Sequence, residues 1–210
     1  MASTIIHLAV AKKLLDYIKV ENTKDYYLGS IAPDVAKQVG TSRKESHFLF
    51  NTKKDIPNIE IFKKRYPMFP YNSFNLGYYI HLYTDKIWIE AFLPTIINKN
   101  LITLKDGSKI KATEKEMLEM LYSDYTNLNI KIIDKYNLDL SLFYEDFVMP
   151  KTSIKEIPVD KLDILINKMS LLIEDSKEEK TYTLDIDRIV DFIEKTTQLI
   201  INDLKNTSPY

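Results

Sequence analysis

Histidine is scarce in this chain, and all three copies stand near carboxylates at spacings a metal site could use. His7 lies in the first helical stretch, His47 follows Pro33-Asp34 by thirteen positions, and His81 precedes Asp85 by four. Imidazole nitrogen and carboxylate oxygen are ligands that a borderline-soft divalent ion such as zinc accepts, and no cysteine offers an alternative. Residues four apart on a helix share a face, about 5–6 Å apart at Cβ, so His81 and Asp85 can hold one ion together or bridge two. A hydrogen-bonded His81–Asp85 pair inside a core fits the same spacing. Taken singly, His47 reads as a packing histidine, Asp34 as an N-cap after a turn, and His7 as a core-facing residue of an amphipathic helix. The coincidence of all three histidines with one pattern favours the metal reading.

The bulk properties frame this chemistry. A chain of 210 residues with 45 % apolar composition can bury a sizeable core, and one domain over 1–210 is expected. Its 29 basic and 30 acidic residues leave a net charge of −1, so no global field recruits nucleic acid, which is not expected as a partner. The absence of cysteine fits a reducing compartment. The first residues lack an apolar block followed by a small-residue cleavage site, so no secretory signal and a cytoplasmic location are expected. No stretch approaches the roughly 20 apolar residues needed to span a bilayer.

The elements that must position the ligands are helical. Ile5, Leu8, Ala9, Leu15 and Ile18 recur at helical spacing, with Ser3 or Thr4 placed to cap them. Gly29 and Pro33 predict a break between Lys24 and Gln38, with Ser30 to Asp34 as a turn before a short helix. The segment from Asn75 to Phe92 is apolar on nearly every side, which belongs in the middle of a bundle, and His81 and Asp85 are among its few ionisable residues. Asp106-Gly107 predicts a hairpin within Ile102 to Thr113. Thr113-x-x-Glu116 predicts a capping box opening a helix to about Tyr136. Further helices are expected near Val159 to Glu174 and Asp185 to Asn206, separated by a charged turn from Asp175 to Lys180. The fold class is therefore all-α, a multi-helix bundle around a central apolar helix at about 75–92, with one small β-hairpin at about 102–112.

The blocks IIHLAVAKKLL, YYLGSIAPDVAK, ESHFLF and NLGYYIHLYTDKIW resemble, in order, the metal-binding half of the zinc-dependent phospholipase C family. That superfamily is similar in fold to the zinc-dependent single-strand nucleases. The resemblance covers about the first 90 residues and, more loosely, the helices to Tyr136. It implies that Asp34, His47, His81 and Asp85 bind one zinc, that His7 binds a second, and that Asp85 bridges them. It implies for Asp34 a catalytic role in deprotonating or orienting the attacking water. Secreted family members complete the second site with the amino terminus of the processed chain, and hold a third zinc with two later histidines and a glutamate. This chain has no histidine after His81, so one or two zinc ions are expected rather than three. Asp124 is the remaining acidic candidate ligand, with a solvated helix-surface carboxylate as the alternative.

The implied activity is phosphoester hydrolysis, with a phosphodiester substrate and a phospholipid as the lipid form of it. Tyr66, Phe69, Tyr71 and Phe74 lie in a stretch with Pro67 and Pro70, which predicts a lid or substrate-contact loop. Tyrosines there could hold a choline-like ammonium by cation–π contact, while core filling is the alternative. Two other functions fit the same residues. One is a helical metallophosphohydrolase or nuclease acting on nucleotides or single-stranded nucleic acid; the other is a non-catalytic helical protein with a structural zinc.

Overall fold

A computed structural model describes residues 1–50, 55–144, 148–167 and 181–207. It is mostly α-helical with one small antiparallel sheet, as the periodicity predicts. Helix α1 (Thr4–Leu14) starts where Ser3 accepts a hydrogen bond from the Ile6 amide at 3.3 Å. Helix α2 (Thr23–Ile31) continues into a 3₁₀ turn at Ala32–Asp34 and then α3 (Val35–Val39), which ends on Gly40 at φ +69°. Helices α4 (Arg43–Ser46) and α5 (Ile59–Arg65) follow, and α6 (Ser73–Ile87) closes with a π-helical turn at Trp88–Phe92.

Gly29 does not break the chain as expected. It sits inside α2, where the missing side chain lets the helix lie against the Phe74 carbonyl of α6. Gly77 of α6 answers it by meeting the Tyr26 carbonyl and the Ser30 amide of α2. These two helices form the most extensive contact in the fold, which makes α6 the central element. Its buried face includes Phe74, Tyr78, Tyr79 and Ile80, each without exposed surface.

The sheet contains the expected hairpin, β2 (Leu101–Thr103) with β3 (Lys109–Lys111), and an additional strand β1 (Ile97–Asn98) paired to β2. Ile97 faces Ile102, and the turn between β1 and β2 carries Lys99 at φ +55°. Gly107 at φ +85° supplies the left-handed residue of the hairpin loop. The long helix α7 (Glu114–Tyr136) opens with the predicted capping box, Thr113 and Glu116 each satisfying the other's backbone amide. The next helix, α8, is described over 162–167 only; the remainder expected to Glu174 and the charged turn at 175–180 lie outside the described residues. Helix α9 (Ile186–Thr207) packs against α1 and α6. No described helix is long and apolar enough to cross a membrane.

Candidate metal centre

The five ligand candidates converge inside the core from four places. His7 comes from α1, Asp34 from the 3₁₀ turn, His47 from the residue that ends α4, and His81 and Asp85 from successive turns of α6. His7, His81 and Asp85 have no exposed surface and His47 is 1 % exposed. Asp34 lies at the start of α3 yet makes no capping bond there. Its Oδ1 instead stands 3.5 Å from His47 Nε2.

Asp85 is shared between two groups. Its Oδ1 is 3.4 Å from His7 Nε2 and accepts the Ala2 amide at 3.0 Å. Its Oδ2 is 3.7 Å from His47 Nε2 and 3.8 Å from His81 Nε2. The His47 and His81 Nε2 atoms are 3.3 Å apart, and the His7 and His81 rings stack at 3.7 Å. Two overlapping sets of donor atoms each fit within 4.8 Å: His7, Asp34 and His81, and His47, His81 and Asp85. Ligands about 2.0–2.1 Å from a tetrahedral zinc lie about 3.3 Å from one another, close to these separations.

Backbone and serine partners fix which ring nitrogens face the cluster. His81 Nδ1 donates to the Ser30 carbonyl at 2.9 Å, leaving the Nε2 lone pair inward. Ser46 lies 2.8 Å from His47 Nδ1 and gives its own proton to the Arg43 carbonyl at 3.3 Å, so it orients His47 in the same way. Both outer partners escape sequence reading. A backbone carbonyl carries no residue signature, and Ser46 reads equally well as a helix-end residue.

The cluster is under-satisfied by protein groups alone. His7 Nδ1 and Nε2, Asp34 Oδ1 and Asp85 Oδ2 are buried without hydrogen-bond partners. Leaving charged acceptors unpaired in a core is strongly unfavourable, and a divalent cation is the chemistry that resolves it. Burial pushes His81 down to about 3, aided by the neighbouring His7 and opposed by Asp34 and Asp85, so the imidazole stays neutral and ligand-competent. Burial raises Asp34, but its contact with His47 and the imidazoles of His81, His47 and His7 outweigh this and hold it at about 2. Asp85 is likewise lowered: its contact with His7 outweighs burial. Both carboxylates are ionised at neutral pH. The donor set therefore fits a metal.

Beside the cluster lies a cavity of about 280 Å³, lined on one side by Ala2 and Asp34 and on the other by Tyr122, Tyr125 and Asn129 of α7. Ala2 and Asp34 link it directly to the cluster. The predicted contact aromatics are elsewhere. Phe69 and Phe74 are wholly buried and Tyr66 is 9 % exposed. Phe69 packs 4.5 Å from the Tyr79 ring, and Tyr66 donates to Glu156 at 2.6 Å. Tyr71 alone of the four is exposed, and it faces a separate depression beside Lys19 and Leu76. Pro70 lies in a 3₁₀ turn at Phe69–Tyr71 whose Phe69 ring is buried in the core, so hydrophobic burial sets the fate of this segment.

Asp124 is also corrected. It is neither a member of the cluster nor solvated: it has no exposed surface. Its carboxylate accepts the backbone amides of Tyr182, Thr183 and Leu184 at 2.6–2.8 Å and the Thr183 hydroxyl at 2.7 Å. It fastens α7 to the chain entering α9. Hydrogen bonds to a charged group contribute about 1.5–3 kcal/mol each, so Asp124→Ala is expected to lower unfolding free energy by about 3 kcal/mol or more. Incubated with zinc, the folded variant should take up as much metal as the parent; a lower uptake at unchanged fold would return Asp124 to the ligand set.

No family model, curated protein or solved structure matches the chain. What fold and site define together is a mostly α-helical fold with a buried histidine–carboxylate cluster whose Asp34 also lines a cavity.

Proposed function

We propose that the protein is a zinc-dependent phosphoester hydrolase of the phospholipase C type, holding two zinc ions at this cluster. One observation carries the reading: the two oxygens of Asp85 point to different histidine groups, as a bridging carboxylate requires, while four polar atoms of the cluster, one of them Asp85 Oδ2, lack hydrogen-bond partners. Asp34, His47, His81 and Asp85 would hold one ion, and His7 with Asp85 the other. When bound, zinc supplies Lewis acidity at the phosphoryl group and lowers the pKa of water from about 16 to about 7. The chain's own residues do the rest. Ser30 and Ser46 keep two imidazoles aimed inward, and the packed rings around them exclude bulk water. Asp34 faces both cluster and cavity, which suits it to orient the attacking water and accept its proton.

The test is elemental analysis of the purified full chain together with hydrolysis of a choline phosphodiester, a glycerol phosphodiester and single-stranded DNA. About two zinc ions per chain and turnover of a lipid-type phosphodiester are expected. Preference for single-stranded DNA would move the protein to the nuclease side of the superfamily. Stoichiometric zinc without turnover of any substrate would assign the metal a structural role.

A further inference from the structure

The cavity beside the cluster carries chemistry that the metal ligands do not use. Lys37 follows Asp34 by one helical turn and lines the same cavity. It is exposed, and its ammonium lies over the Tyr122 ring at 5.5 Å from the centroid. Among the described lining residues Lys37 carries the one cationic side chain, and Asp34 the one carboxylate. The opposite wall presents Asn129, one turn along α7 from Tyr125. Asn129 is 3 % exposed, and its Oδ1 has no hydrogen-bond partner. A buried amide oxygen without a donor, on the wall of a cavity, is an acceptor awaiting a ligand hydrogen.

These two groups set opposite demands. The Lys37 ammonium has only donors to offer, and the Asn129 oxygen only accepts. A headgroup with several hydroxyls satisfies both, one accepting from the lysine and another donating to the amide. A quaternary ammonium satisfies neither. It has no proton for Asn129, it meets a like charge at Lys37, and the Tyr122 face that could hold it by cation–π attraction already carries the lysine. No lining carboxylate other than the ligand Asp34 could compensate its charge.

We propose that this cavity selects a polyol phosphoester, one whose headgroup carries hydroxyls and no fixed positive charge, through Lys37 and Asn129. The assignment rests on the phosphoesterase reading: the phosphate sits toward Asp34 and the metal ligands, and the headgroup extends toward α7. Lys37 and Asn129 act as specificity determinants and take no part in holding the metal.

The test is calorimetric binding of sn-glycerol 3-phosphate and phosphocholine to the zinc-loaded full chain. The two probes share a phosphate and differ at the far end, so metal contacts cancel in the comparison. The parent should bind glycerol phosphate about tenfold more tightly, a difference of about 1.4 kcal/mol. Lys37→Glu, at an exposed position, should retain zinc and reverse the preference. Asn129→Leu should weaken glycerol phosphate several-fold and leave phosphocholine unchanged; its fold is checked by thermal melting. Equal or tighter phosphocholine binding in the parent, or an unchanged ratio in Lys37→Glu, overturns the selection while zinc content stands. Failure of the parent to hold zinc removes the phosphoesterase reading, and the selection falls with it.

Discussion

On the proposed two-zinc reading, Asp85→Asn is expected to abolish the stabilisation that zinc would give the protein while leaving the metal-free fold intact. Zinc at a thousandfold excess over its Kd should stabilise the parent by about 4 kcal/mol. For a chain of this size that corresponds to a rise in Tm of roughly 8–16 °C. The asparagine variant should show less than about a quarter of this, because a neutral amide neither bridges two cations nor offsets their charge. In the metal-free state the effect is smaller. Asp85 is an ionised group without exposed surface, with one oxygen unpartnered. Asn retains an oxygen to accept the Ala2 amide but gives up the attraction between the carboxylate and His7, which outweighs the burial penalty. Metal-free Asp85→Asn should therefore be less stable than the metal-free parent by about 1–3 kcal/mol, less than the zinc-dependent loss. Denaturation with and without zinc measures both quantities. A parental zinc shift in the variant would remove Asp85 from the bridging position, and a large loss in the metal-free state would make it a purely structural acceptor.

Gly77→Ala should damage both stability and metal affinity. A Cβ at Gly77 would lie 2.1 Å from the Tyr26 carbonyl oxygen and 2.8 Å from the Ser30 amide nitrogen. Both are backbone atoms, so no rotamer change relieves the contact, and α2 must move away from α6. Overpacking of this kind costs about 3 kcal/mol or more, which a denaturant midpoint would register. The displacement reaches the site because Ser30 also supplies the carbonyl that orients His81. Losing such an outer partner typically weakens metal binding 10–100-fold, so zinc affinity should fall by about tenfold or more. A variant with the parental midpoint and parental zinc affinity would show that α2 can retreat without strain, against the rigid crossing described here.

These outcomes explain why some of the site is legible in the sequence and some is not. His7, Asp34, His47, His81 and Asp85 stand out because their types are rare in an apolar setting, and the fold brings all five together. The all-helical periodicity and the capping box at Thr113 are local signals, and local signals survive folding. Asp124 carried no local clue, since its donors lie 58 to 60 positions away. The segment around Phe69 misled for a related reason. Prolines and aromatics compose an exposed contact loop and an inward-packed 3₁₀ turn alike, and only the space left by Phe62 and Tyr79 decides between them. Strand β1 is two residues long, too short for any alternation to register. Gly29 reads as a helix breaker in isolation, but a close helix crossing is the other use of a residue without a side chain.

Apart from Leu165 of α8, the cavity lining comes from two sources, which bears on how the protein can diversify. Every candidate metal ligand lies within the first 85 residues, whereas Tyr122, Tyr125 and Asn129 come from α7. The inward face of that one helix can therefore vary, turn by turn, with the candidate ligands untouched. Exchanging residues 122, 125 and 129 would retune what the cavity admits without rebuilding the cluster beside it.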